Sequence, residues 1–327
     1  MTQQRLLLIS PIRNEQAHFE RIAAAVAAQT RRPELWVVVD DASTDTTPEI
    51  LERLSRQLDF LKVVNAPKRQ LNGQPKDRLA VALEAKAFNV GLDSVDWRSF
   101  THIAKLDGDT ELPPYYFERL LAEFERDPRL GLAGGLYADP CPNTDGKERW
   151  AIVGIPSDHH VPGTLKCYSR ACFEAIGGLH ERLAWDTIDE TYARMRGYRT
   201  RAFANLIAHH HRPFASADGI LRGRARHGEC AYIVHFTLPW VTLRSFKVAL
   251  VRPRVLSGFA FLYGYLRSAA RRVPRVEDRE FRRFVRRELR SRMRGSLTTR
   301  LRKEPADARV HYDGRTPQEL TGLQDYS

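Results

Sequence analysis

With 327 residues, 43% of them apolar, the chain has material for a sizeable core, which excludes a disordered polypeptide and a small disulfide-stapled scaffold. The formal charge of +12 is concentrated: from Arg267 to Lys303 stand 15 basic residues against 4 acidic ones, a net of +11, so the rest is close to neutral and is no nucleic-acid-coating surface. Four cysteines, Cys141, Cys167, Cys172 and Cys230, lack CxxC spacing and read as packing residues in a reducing compartment.

The N-terminal "MTQQRLLLISPIRNE" has too short an apolar run for a signal peptide and leads directly into a strand, which predicts a cytoplasmic protein. "LLLIS", "LWVVVD", "LKVVN", "HIAKL" and "LGLAGGLY" read as buried strands, and residues 15–29, 48–58, 77–92 and 113–126 as helices. This alternation predicts an α/β fold with a mixed, mostly parallel sheet flanked by helices. In "DTTPEILERL", Thr47 is placed to cap a helix with Pro48 at its first position. Past residue 140 the alternation breaks down, leaving strands in "GTLKCYSR" and "YRTRAFANL" and a helix with an acidic first turn in "DTIDETYARMRGY". After "IAHHHRPF" the chain turns to Arg-rich helical sequence, which sets a boundary near residue 215 between an α/β domain (1–215) and a basic helical region (216–327).

Segments 231–251 and 255–266 are apolar, but His235, Arg244, Lys247, Arg252 and Arg254 interrupt them before the roughly 20 residues a spanning helix needs. In "REFRRFVRRELRSRMR", Phe281, Phe284, Val285, Leu289 and Met293 form one helical stripe with arginines on the other face. Such a helix can lie on an anionic membrane or pack its stripe onto the α/β domain, and the sequence leaves both open.

Chemistry-bearing residues gather at strand ends, where parallel sheets bind their ligands. One strand ends in "VVVDDASTD", with Asp40, Asp41 and Asp45, and another in "KLDGD", with Asp107 and Asp109. Two carboxylates two residues apart can reach one hard divalent cation, with Gly108 allowing a sharp turn between them; a solvated turn is the competing reading.

The ordered series "SPIRNE", "VVVDDASTDTT", "KAFNVGL", "KLDGDTELPP" and "IGGLHERLAWDTIDETYARMRGYRT" resembles the family 2 glycosyltransferases, over roughly residues 5 to 212. The resemblance implies the GT-A fold, Rossmann-like. It further implies that Pro11, Arg13, Asn14 and Glu15 form the first nucleotide-contact loop. Asp41 would bond the nucleotide base, with Asp40 supporting the turn. Asp107, next to Gly108, would face the ribose or metal, and Asp109 would ligate the metal. "IAHHHR" matches a strand that in some members ends in a ligating histidine, for which His210 comes first and His209 next. "WD" stands where the family usually carries "ED", so Asp186 takes the place of the general base, Trp185 replaces the usual Glu, and Asp189 is the competitor on the same helical face. Arg78, with Lys68, Arg69 and Lys76, sits in a loop suited to closing over the diphosphate, a solvated charged loop being the competing reading, and "RGRARHGECAY" (222–232) lies where members often carry an acceptor or phosphate loop, though without the usual signature.

The implied activity is inverting, metal-dependent transfer, with Mn²⁺ or Mg²⁺, from a nucleoside diphosphate sugar, UDP-sugar foremost, to a hydroxyl of a glycan or lipid-linked acceptor. Cell-envelope polysaccharide, glycolipid or exopolysaccharide synthesis is the implied setting, on the inner face of the cell membrane. A sugar-nucleotide-forming nucleotidylyltransferase is the rival enzyme, but it needs a Gly-rich loop after the first strand and "SPIRNE" has no glycine. A non-catalytic basic scaffold or nucleic-acid binder is opposed by the full set of acids and the lack of any base-reading module.

Overall fold

Seven buried residues in a row, Leu6–Ile12, form the central strand β1, whose nearly unbroken apolar run suits a strand covered on both faces. The computed structural model describes residues 4–67, 82–140, 150–153, 156–212, 219–251, 253–299 and 311–312. Strand β1 pairs in parallel with β2 (Leu35–Asp40) and β4 (His102–Leu106), and β2 pairs in parallel with β3 (Leu61–Asn65). Alternate side chains divide the core. Leu6, Leu8, Trp36 and Val38 meet α1 (Phe19–Ala27), α2 (Thr47–Gln57) and α4 (Tyr116–Arg126) on one face. Leu7, Ile9, Val37 and Ile103 meet α3 (Leu83–Asp93) and α5 (Arg170–Ile176) on the other.

The second half of the sheet brings in antiparallel pairing. Strand β8 (Leu165–Ser169) runs antiparallel to β4 and to β6 (Leu130–Pro140), and β6 pairs in parallel with β9 (Arg199–His210). A two-residue strand β5 (Thr110–Glu111) pairs antiparallel with the far end of β9. Strands β7 (Trp150–Val153) and β10 (His311–Tyr312) complete one edge, giving the order β10-β7-β6-β8-β4-β1-β2-β3. This is the α/β class with a mixed, mostly parallel sheet that the sequence predicts.

Two local expectations change. The Thr47 hydroxyl accepts the Glu15 backbone N–H at 2.8 Å instead of capping α2, and Asp45 Oδ1 accepts the Thr47 N–H at 3.0 Å at the helix start. The helix read over residues 15–29 begins only at Phe19, because the Glu15 carbonyl closes a turn by accepting the N–H groups of His18 and Phe19.

The helical region holds α7 (Ile220–Ile233), α8 (Leu238–Val248), α9 (Leu256–Ala270) and α10 (Arg279–Thr299). The stripe on α10 packs inward: Phe281, Val285 and Leu289 are buried against Ala184 and Ile188 and against Ile233 and Val234. Helix α6 (Trp185–Met195) is further pinned to α10 by Arg194, whose Nε lies 2.6 Å from Glu288 Oε1. Of the two uses left open for that stripe, the fold adopts protein packing. The boundary expected near residue 215 falls at 213–218, outside the described residues, as does Cys141. Cys167, Cys172 and Cys230 are free thiols. Among the described residues no helix is long and apolar enough to cross a membrane.

Candidate active site

Because β1, β2 and β4 run parallel, their carboxyl ends open on the same edge of the sheet, and the three loops that follow interlock. Pro11 is buried in β1 opposite Val39. The Arg13 guanidinium donates to the Asp41 carbonyl at 3.1 Å, and the Asp41 N–H donates to the Ile12 carbonyl at 2.9 Å. Asn14 takes a positive φ of 54°, its Oδ1 accepting the Thr44 N–H at 2.8 Å. Asp40 turns back on its own loop, where Oδ1 accepts the Ser43 N–H at 3.0 Å. The loops behind β1 and β2 thus form one frame, with Asp40 as an internal brace.

The Asp-x-Asp follows β4. A Cβ at Gly108 would lie 2.7 Å from Ile12 Cγ2 and 3.0 Å from Glu15 Cγ, so the glycine is required by the close approach of the first loop; its φ is outside the left-handed region, so the sharp-turn reason expected from sequence does not apply. The Asp107 N–H donates to the Thr164 carbonyl at 3.0 Å, and its carboxylate is bonded by Lys105. Lys105, a fully buried side chain, also contacts Glu84 and donates to the Gly163 carbonyl at 2.8 Å. Burial opposes its charge, yet Asp107 and Glu84 hold its pKa above the usual lysine value. Asp109 is nearly buried, and Arg212 links it to Glu15, with Nη2 2.8 Å from Glu15 Oε2 and Nε 3.7 Å from Asp109 Oδ2. Burial pushes the Glu15 carboxyl up to about 7, and the Asp109 charge adds to the rise while Arg212 opposes it.

The pairing of β5 with β9 sets Thr110 opposite His210 and separates the three histidines by strand alternation. His209 stacks on Trp150, with centroids 4.2 Å apart. His211 Nε2 lies 2.7 Å from Glu111 Oε2. The His210 ring turns to the Asp-x-Asp: Nε2 is 3.5 Å from Asp109 Oδ1, and Nδ1 is 2.9 Å from Asp139 Oδ1. A proton on Nδ1 shared with Asp139 leaves Nε2 as an acceptor beside the Asp109 carboxylate, an arrangement that orients an imidazole for a cation. Among the described residues no three His, Cys, Asp or Glu side chains converge on one such point. A cation placed there would have Asp109 and His210 as its protein ligands and would need further ligands from outside this pair.

The segment at Gly163 and Thr164 joins this cluster to α6. While its carbonyls hold Lys105 and Asp107, a Cβ at Gly163 would lie 3.6 Å from Asp186 Cβ and 3.5 Å from Trp185 Cζ2. Asp186 is partly exposed in the first turn of α6, while Asp189 is sealed below it. Lys166 Nζ sits 2.9 Å from Asp189 Oδ1, 3.0 Å from Glu190 Oε1 and 2.6 Å from the Asp186 carbonyl, and the Tyr168 hydroxyl donates to Asp189. The Trp185 ring lies between the two buried lysines, 5.3 Å from Lys105 Nζ and 5.4 Å from Lys166 Nζ. Helix α7 covers this end: burial pushes the His227 imidazole down to about 4, against the pull of the Asp186 charge.

Lys105, Lys166, Asp139, Arg212 and Glu84 belong to this cluster without standing in any of the sequence motifs' expected roles. The two lysines carried a signal, since each interrupts an apolar strand, in "HIAKL" and "GTLKCYS". Arg78, Lys68, Arg69 and Lys76 lie outside the described residues.

No curated protein matches the chain by sequence. A mannosyltransferase from Pyrobaculum calidifontis, solved in complex with GDP-Man and Mn²⁺, superposes with a TM-score of 0.52 at 16% identity, covering 93% of this chain and 89% of that one. TarS 1-349 of S. aureus, solved with UDP-GlcNAc, aligns at a TM-score of 0.46 and 16% identity over 82% of this chain and 73% of that one. The first likeness is one of fold, and the fold is that of the GT-A glycosyltransferases. The family model for glycosyl transferase family 2 matches residues 8–175, from the central strand through the Asp-x-Asp to the end of α5. The chain belongs to glycosyl transferase family 2 and is a glycosyltransferase.

Proposed function

We propose that the protein is an inverting, divalent-cation-dependent transferase that moves a sugar from a nucleoside diphosphate, UDP foremost, to a hydroxyl of a glycan or lipid-linked acceptor, in cell-envelope polysaccharide, glycolipid or exopolysaccharide synthesis. The observation that supports this reading is the segment Gly163–Thr164, where the Thr164 carbonyl bonds the Asp107 N–H and a Cβ at Gly163 would lie 3.6 Å from Asp186 Cβ. Residues 1–215 form the catalytic domain in this reading and 216–327 an accessory helical one.

On the donor side, Pro11, Arg13, Asn14 and Glu15 with Asp41 contact the nucleotide, and Asp40 holds the turn. Asp107 faces the ribose or the metal, and Asp109 with His210 would hold Mn²⁺ or Mg²⁺. A bound cation of this kind neutralises, as a Lewis acid, the charge that builds on the leaving diphosphate. On the acceptor side Asp186 takes the proton of the attacking hydroxyl as the new glycosidic bond forms and the bond to the diphosphate breaks; a single displacement of this kind inverts the anomeric centre. It stands, partly exposed, in the first turn of α6. Asp189, closed in by Lys166 and Tyr168, supports α6 from beneath.

Calorimetric titration of UDP- and GDP-sugars with and without Mn²⁺ tests the donor half. GDP belongs in the set because GDP-Man is the ligand of the mannosyltransferase that shares the fold. Binding that is Mn²⁺-dependent in the native protein and loses that dependence in Asp109→Ala supports the reading; binding indifferent to both overturns the metal role.

A further inference from the structure

Helix α9 is built inside out for a helix in water. Its buried side carries small residues, Ser257, Gly258, Gly264 and Ser268, beside Phe261 and Tyr265. Its outward side carries Leu256 at 55% exposed, Phe259 at 66%, Tyr263 at 60% and Leu266 at 48%. The spacing of those four is that of a single helical stripe, so they form a continuous face. Helix α8 repeats the inversion, burying Val241 and Ser245 while Phe246 points out, with Leu250 exposed at the turn beyond it. Among the described residues every exposed large apolar side chain falls between Ile220 and Leu266. An apolar surface collected in one place marks a surface that meets something other than water.

The face cannot fold away. A Cβ at Gly228 would lie 1.9 Å from the Phe261 carbonyl oxygen, and one at Gly264 would lie 1.8 Å from that of Ala225, so α7 and α9 touch backbone to backbone. At Gly258 a Cβ would meet the Ser245 carbonyl oxygen at 2.5 Å, which draws α8 into the same unit. Rotating α9 to hide its large side chains would separate all three contacts. Helix α10 is no substitute for this surface, since its own stripe is buried.

Charge selects the occupant. From Cys230 to Val276 the chain has no acidic residue, and Arg244, Lys247, Arg254, Arg267, Arg271 and Arg272 are exposed around the apolar face. A second copy of the chain meeting this face with its own would oppose two purely basic rims. We propose that the α8–α9 face lies on an anionic lipid bilayer, with the outward side chains at the acyl boundary and the arginines and lysines at the level of the lipid phosphates. Fifteen residues of α9 extend about 22 Å, short of the hydrocarbon thickness of about 30 Å, so the helix lies along the surface.

Flotation of the full-length protein with vesicles of phosphatidylcholine alone, or of phosphatidylcholine with phosphatidylglycerol, tests this. The native protein is expected to float with the anionic vesicles only. The double variant Phe246→Ser/Phe259→Ser, with an unchanged melting temperature because both rings are exposed, is expected to lower the bound fraction at least about tenfold. The variant Lys247→Glu/Arg254→Glu is expected to lose the preference for anionic lipid. Failure of the native protein to bind anionic vesicles, or undiminished binding by the serine variant, overturns the proposal. So does a native dimer that the serine variant turns into a monomer without any change in vesicle binding, which assigns the face to a second copy. Donor binding by calorimetry should be the same in all these variants, so the fate of this surface and that of the proposed chemistry are read separately.

Discussion

Phe281 and Phe259 stand in neighbouring helices of one basic region, yet the first is wholly buried and the second is 66% exposed. The difference divides the molecule. In the α/β part and along α10 the large apolar side chains turn from solvent, and Lys105, Lys166, Asp189 and Glu190 are charged groups buried with them; along α8 and α9 several large apolar side chains turn out, while serine and glycine turn in beside Val241, Phe261 and Tyr265. Two successive helices can thus obey opposite rules, because a helix is amphipathic with respect to whatever surrounds it, and water surrounds only one of these faces in the proposed setting.

The largest expected effect lies in the α/β part. Asp186→Asn should lower transfer to acceptor by about 10²- to 10⁴-fold while donor affinity stays within a few-fold, measured by initial rates beside a binding titration. Asp189→Asn should instead appear in the melting curve, with a loss of about 3 kcal/mol, because it strips a buried lysine and a buried tyrosine hydroxyl of a partner. A stable Asp189→Asn protein without turnover, beside an active Asp186→Asn, would exchange the two roles.

Next in size, Phe281→Ala should cost about 3–5 kcal/mol in denaturant unfolding, since it empties the centre of the cluster between α10 and α6. Glu288 sharpens the same contrast through pH. The His159 hydrogen bond and the Arg194 and Arg292 charges outweigh burial and hold its carboxyl down to about 2 against an ordinary 4.5. Its contribution, of order 3 kcal/mol, is therefore present above about pH 4.5 and is lost as pH falls through about 2. Acid titration followed by circular dichroism should show Glu288→Gln to be less stable than the native protein at neutral pH and equal to it near pH 2. The smallest effect belongs to the inverted face: Phe259→Ser in detergent-free solution should change stability by no more than about 0.5 kcal/mol. A loss as large as that of Phe281→Ala would mean that Phe259 is covered in solution, and the contrast between the two phenylalanines would disappear.

Sequence sufficed where burial is the same on both faces. "LWVVVD" and "HIAKL" match β2 and β4 residue for residue, because a strand covered on both sides needs an apolar run. The strand-end acids were legible for the same reason, as they follow those runs. Partners distant in the chain were not legible. Lys105 needs Glu84 from α3, and Lys166 needs Asp189 and Glu190 from α6, so neither buried cation can be foreseen from the strand that carries it. The work of the three histidines was equally hidden, because it depends on the register of β5 with β9, and β5 is two residues long. On α9 the periodicity reveals a stripe, but periodicity has no sign; which side meets the protein is decided by Gly258 and Gly264, whose lack of a side chain lets the neighbouring helices approach.

Those glycines also set how this part of the protein can change by mutation. At Gly228, Gly258 and Gly264 every other amino acid collides with main-chain oxygen, so these positions are fixed by the shape of the helix trio. Leu256, Phe259, Tyr263 and Leu266 touch no such limit, and one apolar side chain can replace another there without disturbing the fold. Inheritance can therefore retune the outer surface to a new environment in single steps while the inner geometry stays locked, and a designer who wishes to move the enzyme to a different support has the same four positions to work with.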